Sequence, residues 1–302
     1  MGQIEFAWVY QPAARPGEDG STLLADNDRF IRKLQPHIHA VWVEDHFQWE
    51  ARPMIECWTT LSYLAGKYPD LTLAPLVLGQ SYRNPALTAK MAATLHYLTG
   101  GRMMMGIGAG WKEDEYRAYG WDFPAPGVRV EQLEEAVSII KAMWTHSPAS
   151  FEGKHYTIKD AYCEPRPNPM PPLMIGGGGE QRTLRVVAKH ADWWNAPFTT
   201  LEDSKRKLDL LDGYCAEIGR DPATLRKTYF GFVSLTRDPA KVIKREGLHV
   251  IGGPPEVVAD ELQSLVDLGF DYFILRFMDF PAHDGVDLFL AEILPHFRAT
   301  AI

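Results

Sequence analysis

Four short stretches of the sequence combine residue types that could do chemistry. His46 follows two carboxylates in Glu44-Asp45-His46-Phe47. A carboxylate next to an imidazole can orient the ring and raise its pKa, which suits a proton donor or a hydrogen-bonding electrophile. The same Asp45–His46 pair can also serve only to fasten a loop. In Val77-Leu78-Gly79-Gln80-Ser81 the glycine either lets a planar ligand come close or makes a simple turn. Gly106-Ile107-Gly108-Ala109-Gly110-Trp111 alternates glycines, so its main-chain amides can reach a phosphate. The strongest signal is Ile175-Gly176-Gly177-Gly178-Gly179-Glu180-Gln181, read as a strand end followed at once by a helix. Amides with no side chains in the way, at a helix start, make an anion site. Four successive glycines also cost ordering entropy that a plain connector has no reason to spend.

Other chemistries fit less well. In the Gly106 stretch the third glycine of a dinucleotide fingerprint would fall on Trp111, and the next long helix begins only near Arg129. No Gly-Lys-Ser or Gly-Lys-Thr follows, which excludes a P-loop. His37-Ile38-His39 has the spacing of barrel metal ligands but precedes its strand, so a solvated or core role is expected and no metal is assigned. Glu113, Asp114 and Glu115 read as solvated loop charges, and the seventh strand ends Phe232-Val233-Ser234 without the second carboxylate a glycosidase needs. Cys57, Cys163 and Cys215 are scattered and odd in number, as expected of reduced thiols.

These stretches need elements to hold them. Strands are expected over 3–9, 40–44, 71–78, 102–107, from 173 to 175, and over 192–195, 229–235 and 271–277. Helices are expected over 21–34, 54–67, 129–146, 183–190, 203–218, 254–268 and 285–297. Another follows the capping Asn84 and Pro85, with Leu87, Met91, Leu95 and Leu98 at steps of three or four. A small extra strand is expected over 151–158, and 108–128, 148–172 and 236–253 are longer than ordinary connections. Eight βα units without a hinge-like linker predict an α/β fold. It is a (β/α)₈ TIM barrel with insertion loops at the C-terminal strand ends, forming a single domain over 1–302. In such a barrel those ends carry the site, and all four stretches fall there, as does Asn195.

Bulk properties agree. The chain has 302 residues, 46% hydrophobic and 23% charged, with a net charge of −8 and no basic run, so neither nucleic acid nor an anionic membrane is an expected partner. No leader-like start and no apolar run of about 20 residues is seen, which predicts a cytoplasmic protein.

The residues also resemble a known family. VWVEDHF (41–47), YRNPALTAKMAATL (82–95), GRMMMGIGAGWKEDEYRAYG (101–120), RVEQLEEAVSIIKAMW (129–144), FEGKHY (151–156), PPLMIGGGGEQRTLRVVAKHADWWN (171–195) and GGPPEVVADEL (252–262) together are similar to the luciferase-like monooxygenase superfamily, and within it to the F420-dependent oxidoreductases. The resemblance spans nearly the whole chain. It implies an often homodimeric barrel that holds coenzyme F420, or alternatively FMN, over its strand ends. By position, His46 matches the histidine at the reactive face, with Asp45 beside it. Leu76 and Val77 match a non-prolyl cis peptide behind the ring. Gly79, Gly108, Ala109, Gly110, Trp111, Gly176, Gly177, Gly178, Gly179, Glu180 and Asn195 fall in the cofactor layer. One departure stands out: sugar-phosphate dehydrogenases of the family have a glutamate where this chain has Trp111, so their substrate does not carry over. Trp8, Tyr10, Trp49 and Trp111 suggest an aromatic pocket for a small organic molecule. The activity implied is hydride transfer between F420 and an organic substrate. An FMNH₂-dependent monooxygenase and a non-catalytic flavin-binding paralogue are the alternatives.

Overall fold

Alternating side chains along each strand build the molecule from the inside out. The computed structural model describes residues 3–299. In chain order the elements are β1 (Glu5–Tyr10), α1 (Leu23–Leu34), β2 (Ala40–Val43), α2 (Cys57–Lys67), β3 (Thr72–Pro75), β4 (Leu78–Gly79), α3 (Pro85–Leu98), β5 (Met105–Gly108), α4 (Glu113–Ala118), α5 (Pro126–Thr145), β6 (Ala149–Glu152) and β7 (Thr157–Ala161). They continue with β8 (Leu173–Gly176), α6 (Thr183–His190), β9 (Trp193–Pro197), α7 (Leu201–Glu217), β10 (Arg226–Leu235), β11 (Val250–Gly253), α8 (Pro255–Asp267), β12 (Tyr272–Phe277), α9 (Asp284–Leu288), a π turn (Phe289–Ile293) and α10 (Leu294–Ala299). No helix among the described residues is long and apolar enough to cross a membrane.

The parallel sheet runs β3-β2-β1-β12-β10-β9-β8-β5-β4, with β11 added beside β10. A bridge between Leu73 and Met103 brings the two ends together, so the sheet closes into a barrel. β3 and β4 are two pieces of one stave, parted by a cis peptide between Leu76 and Val77. On β1, Ala7 and Val9 face the barrel interior with Trp42, Ala74, Met104, Met174 and Ile274. Phe6, Trp8 and Tyr10 face outward into the larger layer between barrel and helices. Trp8, stacked on Phe30, and Tyr10, beside Trp8, are therefore core residues, not the pocket lining that the sequence suggested. The N-terminal end of the barrel is plugged. Arg226 lies 4.6 Å over Trp193 and 5.0 Å over Tyr272, and pairs with Glu5 and Asp271 at 2.7 and 2.8 Å.

Several expectations shift by tertiary packing. The third strand breaks at Leu76 instead of running through 71–78. α2 begins at Cys57, because the Glu56 side chain accepts from the amides of Trp58 and Thr59. On α3 the buried face is Thr88, Ala89, Ala92, Ala93, Leu95 and His96, while Leu87 and Leu98 are exposed. Small residues there let α5 approach closely enough for Trp144 Nε1 to donate to the Ala89 carbonyl at 3.0 Å. The extra strand is a hairpin, β6 with β7, and the closing helix is interrupted by the π turn.

Glycines in β5 and β8 make room for Val77. A Cβ on Gly106 would meet the Pro75 carbonyl at 2.3 Å, and one on Gly108 or Gly176 would meet Val77 methyls at 2.9 and 3.0 Å. Because a main-chain oxygen cannot step aside, Gly106→Ala is expected to destabilise the barrel by about 1–3 kcal/mol, read as a lower urea midpoint in equilibrium unfolding. An unchanged midpoint would mean that the stave has slack.

Candidate active site

The loop after β2 begins with three acidic or basic residues whose side chains go to three different partners. Glu44 meets Arg276 of β12 in a two-pronged pair at 3.2 and 2.6 Å, closing one side of the barrel mouth. Asp45 is buried and accepts from both terminal nitrogens of Arg83 at 2.8 and 2.9 Å and from the Gly79 amide at 3.0 Å. Arg83 also reaches Glu56 at 2.6 Å, so this cluster ties the β2 loop to the start of α2 and to β4. Asp45 thus fastens its loop and makes no hydrogen bond to His46.

The carboxylate that does hold His46 is Glu115, on α4. Its Oε2 is 2.9 Å from His46 Nδ1 and accepts from the Tyr82 hydroxyl at 3.1 Å. Its Oε1 accepts from the amides of Phe47 and Gln48 at 2.7 and 3.0 Å. Of the acidic run read as solvated, Glu113 and Asp114 are exposed and pair with Arg117 and Lys112, but Glu115 has no exposed surface. Burial would lower the His46 pKa, yet the Glu115 hydrogen bond, with the charges of Glu44, Glu115 and Asp45, raises it above the usual 6.5. Glu115 moves the other way. Burial would raise it, but His46 and the Gln48 and Phe47 amides hold it below the ordinary glutamate value.

With Nδ1 donating to Glu115, the Nε2 atom is the one left for the cavity. The ring stands edge-on to Trp49 and Trp111, with centroids 5.3 and 5.7 Å away. All three line a cavity of about 940 Å³ at the C-terminal mouth. Leu76, Val77, Gly79, Gly108, Ala109, Gly110, Gly176, Gly177, Gly178, Gly179 and Asn195 line it too.

The glycines have mixed reasons for being glycine. The space beside Gly79 is filled by the Tyr82 ring, and that beside Gly110 by the Tyr116 hydroxyl, so neither owes its identity to a flat ligand. Gly110 and Gly177 have φ of +77° and +128°. Main-chain amides remain. Those of Ala109, Gly110, Trp111, Gly178 and Gly179 donate to no acceptor among the described residues, and all five residues line the cavity. Such a set of converging donors fits a phosphate or similar anion. The Gly177 amide is already spent on the Asn195 carbonyl at 3.2 Å, and the Asn195 side chain donates to Thr228 at 2.9 Å. Glu180 turns away to Lys207 and Arg206 and does not line the cavity. α6 spans Thr183–His190 as expected, so a three-residue turn, 180–182, lies between the glycines and its first residue.

Residues 4–251 match the luciferase-like monooxygenase family. The chain belongs to that family. Among this luciferase-like protein's curated relatives is an F420-dependent glucose-6-phosphate dehydrogenase of Kineococcus radiotolerans. It is 36% identical over 314 residues, covering 90% of this chain and 92% of the relative. A phthiodiolone/phenolphthiodiolone dimycocerosates ketoreductase of Mycobacterium sp. (strain JLS) is 29% identical over 255 residues, which is 75% of this chain but only 65% of the ketoreductase. An F420-dependent secondary alcohol dehydrogenase, solved with an F420-acetone adduct, shares the fold. Its TM-score is 0.85 at 18% identity, over 98% of this chain and 99% of that one.

The Asp45–Arg83 pair supplies a stability test for the luciferase-like site. Arg83→Met strands a buried carboxylate and is expected to cost about 3–5 kcal/mol in urea unfolding, with much of the loss recovered in Arg83→Met/Asp45→Leu. A loss below about 1 kcal/mol for the single variant would mean that the loop is held elsewhere.

Proposed function

We propose that this luciferase-like protein catalyses hydride transfer between coenzyme F420, a deazaflavin, and an organic substrate. The observation that carries the reading is one cavity with unspent amides on one wall and the Glu115-held imidazole of His46 on another. The amides of Ala109, Gly110, Trp111, Gly178 and Gly179 would hold the phosphate-bearing part of the cofactor, and Leu76, Val77 and Asn195 its ring region. When bound, the deazaflavin supplies the hydride chemistry. F420 appears in the names of the dehydrogenase relative and the alcohol dehydrogenase of like fold, which supports the choice over FMN.

The chain's own part is to place groups and manage a proton. Glu115 fixes Nδ1 as the protonated donor, and Nε2 gives a proton to the substrate in the reductive direction or accepts one in the oxidative direction. Trp49 and Trp111 flank the ring and present an apolar surface to the substrate. The second reading is an FMNH₂-dependent monooxygenase, because the family is described by that activity and the same amides would accept the FMN phosphate.

Parallel titration of the purified protein with F420 and FMN is expected to show tighter binding of F420. Tighter FMN binding would replace the proposal with the monooxygenase reading. His46→Ala is expected to keep cofactor affinity and to lose turnover by roughly 10²–10⁴-fold, the range for a positioned acid–base group. Undiminished turnover would remove His46 from the chemistry. Since the His46 pKa is raised, the acid form persists above pH 6.5, and reductive turnover is expected to fall as pH rises through that raised value. In Glu115→Gln the fall should move to lower pH, whereas an unmoved fall would deny Glu115 its influence on the imidazole.

A further inference from the structure

A second part of the cavity wall, away from the free amides, has its own charge pattern. The unspent amides belong to the ends of β5 and β8. β12, across the ring from β5, carries Arg276, while β10, two staves from β8, carries Phe232, and the loop after β10 brings in Arg245. The guanidinium of Arg245 lies 4.9 Å over Phe232 and 5.9 Å over Trp49. Arg52 lies 5.7 Å over the same Trp49 ring and spends its Nε on the Trp49 carbonyl at 3.3 Å. Both arginines are half-buried and line the cavity.

Neither has a carboxylate partner among the described residues. The Glu44 carboxylate is taken up by Arg276, Arg15 pairs with Glu18, and Lys112 pairs with Asp114. Glu246 is exposed at the rim and forms no ion pair with either guanidinium among the described residues. Arg276 itself has a buried Nε without an acceptor. Burial lowers the Arg245 pKa, and the positive charges of Arg276 and Arg52 lower it further against the opposing pull of Glu44. Two unpaired guanidinium groups therefore face an apolar cavity near a third, at a distance around the barrel from the phosphate cradle. A planar anion seated between them would relieve the repulsion and take up idle donors in the fork geometry that suits a carboxylate.

We propose that Arg245, with Arg52 over the same Trp49 ring, docks the carboxylate of an organic-acid substrate whose apolar body lies against Trp49, Trp111 and Phe232. The proposal rests on the hydride-transfer reading for what happens to that substrate, but the docking itself does not need it. The cavity then has two anion stations, one of main-chain amides for the cofactor and one of guanidinium groups for the substrate. The substrate's apolar body spans from the second toward His46.

Cinnamate and its neutral isostere cinnamamide are suitable probes. Their binding to the purified protein can be followed by quenching of tryptophan fluorescence, with and without saturating F420. The native chain is expected to bind cinnamate at least about tenfold more tightly than cinnamamide, as one charge-assisted pair allows. In Arg245→Gln the preference should fall below about threefold, Arg52→Gln should lose a smaller part, and Arg245→Lys should keep some of it. F420 affinity should stay within about twofold in all three variants. Equal binding of the two probes by the native chain, or a preference that survives in Arg245→Gln, would overturn the proposal. Loss of F420 affinity in step with loss of the cinnamate preference would also overturn it, by assigning the arginines to the cofactor's own acidic tail. A cinnamate preference that depends on Arg245 in a chain that binds neither F420 nor FMN would uphold the docking site and defeat the redox reading.

Discussion

A carboxylate with four donors around it and no exposed surface joins two loops that are far apart in sequence. Glu115 takes the Phe47 and Gln48 amides on one oxygen and His46 and Tyr82 on the other. A buried charge is tolerable only when so fully satisfied, so the loop after β2 and the loop after β5 can occupy only the arrangement that completes the set. The imidazole's direction, its preference for the protonated form and the walls given by Trp49 and Trp111 all follow from that one arrangement. Asp45 does similar work a residue earlier in the chain, anchored through Arg83 to α2 and through an amide to β4.

The barrel supplies the frame for these contacts. Small residues in β5 and β8 admit Val77 into the ring of staves, and the interrupted β3–β4 stave brings Gly79 under Asp45. The interior below is filled by Trp42, Met104, Met174 and Ile274. The space left for ligands is therefore confined to the mouth, where the loops are longest.

Much of this was legible in the sequence for physical reasons that can be named. Strand alternation, the Asn84-Pro85 helix start and the glycine tetrad are local signals, and local signals survive without tertiary knowledge. The barrel and the strand-end position of His46 followed from them. What failed to show was anything decided by an unseen neighbour. Adjacency made Asp45 the obvious partner of His46, but successive side chains leave an extended chain in opposite directions, and Asp45 points toward Arg83. Glu115 sits in a helix of six residues, too short for periodicity to mark its buried side, and so it read like its exposed neighbours Glu113 and Asp114. Trp8 alternates with inward-facing Ala7 and Val9, the register that places it outside the barrel. The mixed reasons for the glycines were likewise hidden, since Tyr82, Tyr116 and Val77 had first to be placed.

The plug of Arg226, Trp193 and Tyr272 gives the vessel a floor. Traffic must then use a single doorway. Whatever the cavity holds enters and leaves past the rim loops that carry Trp49, Trp111 and Arg245.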